Sequence, residues 1–235
     1  MSEGQEGNVV EPIRTRNAMT AREGNKAEHI VCASPEARAA LSEYLKRNVV
    51  RLEVIVGRKK ADITVTFEDG HTTTAQLKNG PGGHRGWSFD RRSVDKYPEI
   101  YQELLRKVCL KGGGERNEVA SDPDVVSKLF LGEKDDKRPE WFIHTTVKNG
   151  KIESLSICPA ALFIETLQKG LYAKVNPKRT CVHLSDLIYL QRKGGGKKDR
   201  APNDIQAKLR KMPDCMTTLS LTPVQTTPPP QEQTP

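Results

Sequence analysis

Asp62, Gln76 and Lys78 are the residues whose types suit joint chemistry: a carboxylate, an amide and an amine, the last two separated by a single residue. An Asp oxygen and a Gln carbonyl oxygen are hard ligands of the kind Mg2+ takes, at about 2.0–2.1 Å. A cation so held polarises a phosphate and lowers the pKa of a bound water. A lysine beside it can orient the attacking water and stabilise the charge that builds on a pentavalent phosphorus. The backbone carbonyl of Leu77, between Gln76 and Lys78, could add a further metal ligand. Taken singly, each of the three side chains would also suit an ordinary polar position on a half-buried strand. Their meaning depends on where the chain places them.

Ile63, Val65 and Phe67 alternate with Thr64 and Thr66, which predicts a strand beginning near Asp62. Glu68, Asp69, Gly70 and His71 read as a turn punctuated by Asp-Gly. Thr72 to Lys78 then returns as a neighbouring strand, whose end lies beside the start of the first. Gln76 and Lys78, two residues apart, point to one face of it. The pattern therefore predicts that Asp62, Gln76 and Lys78 converge. Upstream, Met19 to Ile30 reads as a helix containing Glu23 and Glu28. A second helix starts at the N-cap Ser34 with Pro35 in its first position, and Val49 to Val56 reads as a strand.

Asp62, followed after an Asp-Gly hairpin by Gln76, Leu77 and Lys78 at a strand end, resembles the PD-(D/E)xK nuclease superfamily. The order helix, helix, three strands over roughly residues 20–80 is similar to the core of that superfamily, and the chain length suits its type II restriction endonucleases. The resemblance implies an α+β fold of α/β/α type, a central mixed β-sheet flanked by helices. It implies Asp62 as the metal-bridging aspartate, Gln76 in the place of the second acidic ligand, Lys78 as the lysine, and Glu28 as a glutamate given by the first helix. The implied activity is Mg2+-dependent hydrolysis of phosphodiester bonds in double-stranded DNA at specific sites, with Mn2+ as a substitute. A palindromic target would call for a homodimer, and a DNA methyltransferase acting on the same site would accompany it. Two departures stand out: Ala61 where proline is common, and Gln76 where an acid is usual. The missing charge predicts weaker metal binding, with more of it resting on Asp62 and Glu28. A structure-specific repair or junction nuclease, and a non-catalytic nucleic-acid-binding protein with a decayed site, remain the alternatives.

The charge balance fits a polyanion partner. The chain of 235 residues has a net charge of +8 and a pI of about 9.2, and Lys and Arg gain free energy by releasing phosphate counterions. Two basic, glycine-rich segments concentrate that charge. The first, read as a loop over 79–96 directly after Lys78, offers His84, Arg85, Trp87, Arg91 and Arg92. The second, 191–211, offers Lys193, Lys197, Lys198 and Arg200, with Asn203 capping a helix to about Arg210 and Gln206 able to read adenine. Further along, Pro98 to Val108 reads as a helix, with a glycine break at 112–114. Trp141 to Val147 and Ile152 to Ile157 read as a hairpin about Asn149-Gly150, Ala160 to Lys169 as a helix, and Val182 to Arg192 as a strand or strand pair.

Residues 1–17 are expected to be a mobile N-terminus, 18–215 a single folded domain, and 216–235, rich in Thr, Pro and Gln, a disordered tail. The five cysteines are odd in number and widely spaced, which argues against a disulfide scaffold and against a thiolate zinc site. His144 and His183 sit in apolar strand segments and read as structural. No secretory signal or membrane-spanning run is visible, so a reducing, cytoplasmic setting with no membrane partner is expected.

Overall fold

The computed structural model describes residues 26–56, 61–80, 88–92, 127, 130–131, 138–170, 174–176, 181–193 and 204–223. For 88–92, 174–176, 181–182, 192–193 and 204–205 the description is of the backbone. The predicted helix at 98–108, the glycine break at 112–114, residues 1–17 and the end of the tail lie outside it.

A helix over 26–33, α1, runs three residues past the Ile30 expected from sequence. It is followed by α2 (Pro35–Leu45), which starts where its chemistry dictates: the Ser34 hydroxyl accepts from the Ala37 amide at 3.0 Å, and Pro35 occupies a position whose N–H would have no partner. Lys46 ends α2 in the left-handed region, φ 54°. Then come β1 (Val49–Val54), β2 (Ile63–Phe67) and β3 (Thr72–Asn79). The turn between β2 and β3 places Gly70 at φ +81°, a conformation glycine adopts without a Cβ penalty.

Strand β4 (Ser88–Arg92) leaves this sheet for a second one. The chain returns with β5 (Trp141–Lys148) and β6 (Lys151–Pro159), a hairpin whose Asn149 and Gly150 both have positive φ, 51° and 76°. That pair is the primed turn the Asn-Gly dipeptide favours. Next are α3 (Ala160–Gln168), β7 (Lys174–Asn176), β8 (Cys181–His183), β9 (Ile188–Lys193), β10 (Asp204–Leu209) and β11 (Thr217–Thr218).

The six-stranded sheet has the order β1-β2-β3-β5-β6-β11. It is mixed: β3 and β5 are parallel, and the other neighbours antiparallel. One face packs on α1 and α2 through Val31, Ala37 and Leu41 against Ile63, Val65, Ala75, Leu77 and Ile143. The other face packs Phe142 and Cys158 against Phe163 and Leu167 of α3 and against Leu190, Ala207 and Leu209 of the second sheet. The architecture is therefore α+β, a mixed sheet with helices on both faces, as expected. Among the described residues no helix is long and apolar enough to cross a membrane.

The second sheet, ordered β4-β10-β9-β8-β7, corrects several readings. Residues 204–209, expected in a helix capped by Asn203, form β10. Ala, Gln, Lys and Leu are good helix formers, but Ile205, Ala207 and Leu209 also alternate with Asp204, Gln206 and Lys208. That period of two fits the apolar face offered by Ile188 and Leu190 on β9, and tertiary packing overrides propensity. Part of the loop expected over 79–96 is β4, paired with β10. The Val182 to Arg192 segment resolves into β8 and β9. The tail expected from 216 contributes β11, which covers the edge of β6: the Leu219 amide donates to the Leu155 carbonyl at 2.8 Å, and Leu219 and Leu221 pack on the core.

Candidate active site

The register of β2 and β3 decides what lies beside what. Ile63 opposes Ala75, and the Asp62 amide also donates to the Ala75 carbonyl, at 2.8 Å, so Asp62 sits at the start of β2 beside the stretch of β3 whose Gln76 and Lys78 share one face. The Asp62 carboxylate leans along β3. Its Oδ2 accepts from the Leu77 amide at 2.8 Å and lies 4.0 Å from the Lys78 Nζ. Both side chains are about one-fifth exposed, 22% for Asp62 and 19% for Lys78, so the pair is accessible from one side.

Gln76 is 6% exposed, and its Oε1 has no hydrogen-bond partner. An unsatisfied buried oxygen costs on the order of 1–3 kcal/mol. The backbone of Leu77 faces the same way as its amide, because both polar groups of a strand residue project to one side. Its carbonyl therefore points toward the β2 side, where Asp62 lies. The Asp62 carboxylate, the Gln76 amide oxygen and the Leu77 carbonyl are thus offered by adjoining stretches of β2 and β3, with the Lys78 ammonium beside the carboxylate. This donor set fits a hard divalent cation, and the orphaned Gln76 oxygen is the atom with most to gain from one. Among the described residues no three His, Cys, Asp or Glu side chains cluster about one point, so any cation here would rely on neutral oxygens as well as carboxylates.

Glu28 comes from α1 and joins the same electrostatic neighbourhood. Its carboxyl is pushed up to about 7, first by burial, then by the negative charge of Asp62, with Lys78 opposing. One turn on, burial and the charges of Glu28 and Glu53 push the Cys32 thiol up to about 11, which keeps it protonated at neutral pH. The sign for Glu28 follows from linkage. A carboxyl at about 7 folded and 4.5 unfolded holds extra protons in the folded state, so its favourable contribution is complete below 4.5 and is lost as pH rises through 7. In chelator, Glu28→Gln is expected to melt higher than wild type at pH 8 and alongside it near pH 4.5. Equal differences at both values in thermal denaturation would contradict the placement of Glu28.

Of the residues expected to meet DNA, Arg91 and Arg92 lie on β4, Lys193 ends β9 and Gln206 lies on β10. Gln206 is the Cα partner of Arg91 on one side and of Gln191 on the other, so these positions form a row across three strands. His84, Arg85, Trp87, Lys197, Lys198, Arg200 and Asn203 lie outside the described residues. His144, read from sequence as structural, is brought into register with Lys78 on the adjacent strand. Its spacing from Lys78 in the chain gave no sign of this; the parallel pairing of β3 and β5 was the missing signal.

No protein-family model and no curated protein matches the chain. Among solved structures, the chain is similar to the restriction endonuclease MspI in complex with its cognate DNA, at 13% identity and a TM-score of 0.43, over 84% of this chain and 93% of that one.

Proposed function

We propose that this protein is a Mg2+-dependent endonuclease that hydrolyses phosphodiester bonds in double-stranded DNA at specific sites, in the manner of a type II restriction enzyme. The observation that carries the reading is the buried, unpartnered Gln76 Oε1 on the face of β3 shared with Lys78, whose ammonium stands 4.0 Å from the Asp62 carboxylate. Asp62, Gln76 and the Leu77 carbonyl would hold the metal, with Glu28 behind Asp62. Bound there, the cation supplies Lewis acidity toward the phosphate and a more acidic water.

The chain's own groups do the rest. The Leu77 amide fixes the Asp62 carboxylate, which keeps one of its oxygens turned toward β3. Lys78 orients the attacking water and stabilises charge at phosphorus. Glu28, titrating at about 7, can take up a proton as the site fills with negative charge. The net charge of +8 draws the duplex in. Arg91, Gln206 and Gln191, aligned across β4, β10 and β9, have the types that read guanine and adenine edges. A palindromic target implies a homodimer, with a methyltransferase protecting the host's own sites.

Unmethylated phage DNA incubated with Mg2+ tests this directly. Discrete fragments on a gel are expected, with Mn2+ substituting. Cutting confined to branches or ends would indicate a structure-specific nuclease instead. Salt-sensitive binding without any cutting would indicate a decayed site. Gln76→Glu is expected to lower the Mg2+ concentration needed for half-maximal cutting several-fold, since it adds a charge to the ligand set. An unchanged metal titration would remove Gln76 from that set.

A further inference from the structure

We infer that His144 is a positioning residue that holds the Lys78 ammonium at its working place. This rests on the reading of Lys78 as the lysine of a nuclease site. A lysine side chain carries about 2 kcal/mol of rotamer entropy, and a misdirected ammonium neither orients water nor meets charge at phosphorus. Lys78 is flanked on the β2 side by Asp62, 4.0 Å away. On the β5 side its register neighbour is His144, on the same face of the sheet and one strand spacing, about 4.8 Å, across.

His144 is 2% exposed, on a face whose neighbours Phe142, Cys158 and Phe163 form an apolar cluster. Ser156 opposes His144 on the following strand and is 8% exposed, and its hydroxyl lies 3.1 Å from that of Thr218 on β11. A polar row, Lys78, His144, Ser156 and Thr218, thus crosses four strands through surroundings where apolar side chains would pack at lower cost. What an imidazole adds is a ring nitrogen that, when neutral, accepts a proton-bearing donor such as an ammonium.

The test is His144→Phe, which keeps the ring and removes the nitrogens, with His144→Leu as a second apolar variant should the first not fold, and His144→Asn as the rescuing one. The Nζ resonance of Lys78 is followed in 15N-lysine protein without metal and assigned through Lys78→Arg. The apolar variant is expected to move or broaden that resonance and to lower kcat about tenfold to a hundredfold. KM and the Mg2+ midpoint should hold, and His144→Asn should restore much of both losses. An unmoved Lys78 resonance in a folded apolar variant, or an unchanged kcat in a protein that cuts, overturns the inference. Absence of cutting by the wild type would defeat the nuclease reading, while the resonance still decides for or against His144.

Discussion

Asp62→Ala and Lys78→Ala proteins are expected to bind DNA and leave it uncut in Mg2+. Loss of one donor that stabilises transition-state charge costs about 10²–10³ in turnover, and Lys78 is placed to be such a donor beside Asp62. Asp62→Ala removes the anionic oxygen of the proposed ligand set as well, so a loss of at least about a thousandfold, roughly 4 kcal/mol, is expected. It also strips the Leu77 amide of its acceptor. Asp62→Asn separates the two effects, because it keeps an acceptor for that amide while deleting the charge. Plasmid cleavage measured beside filter binding gives both quantities. Either alanine protein cutting at a rate close to wild type would end the assignment of that residue.

Phe163→Ala is expected to give the largest loss of stability of any change considered. The ring is fully buried on α3, 4.3 Å from that of Phe142 on β5 and 5.6 Å from that of Phe130. Truncating a buried Phe to Ala leaves a cavity and costs about 3–5 kcal/mol, a large share of the roughly 5–15 kcal/mol that holds a typical domain together. The same cluster takes in Leu190, Ala207 and Leu209 of the second sheet, so the cavity loosens the seating of the strands that carry Gln191 and Gln206. Urea denaturation should show the midpoint falling, with DNA affinity weakening alongside. A change below about 1 kcal/mol would mean that the two sheets do not share this core.

The parts of the fold legible in the sequence are those fixed by local rules. Ser34 before Pro35 gave the start of α2, Asp69-Gly70 and Asn149-Gly150 gave two turns, and the alternation through Ile63, Val65 and Phe67 gave β2. Because the hairpin sets the register, the closeness of Asp62 and Lys78 was legible too. What the sequence did not disclose depended on partners distant in the chain. Residues 204–209 satisfy both a helical and an alternating pattern, and the choice rests on β9 and β4 lying on either side. Thr217 and Thr218 become a strand because β6 has an edge to cover. His144 stands next to Lys78 through a parallel pairing between strands far apart in the chain, which no local pattern encodes.

The path of the chain through its two sheets has a consequence for how such a protein can change over time. After β3 it gives β4 to the second sheet, returns for β5 and β6, supplies β7 to β10 to the second sheet, and comes back to add β11 to the first. No single cut separates one sheet from the other. The strands that carry Asp62, Gln76 and Lys78 and those that carry Arg91, Gln191 and Gln206 therefore cannot be traded between relatives as cassettes. New preferences would have to arise by point changes in place, each tolerated by a neighbour on the opposite layer.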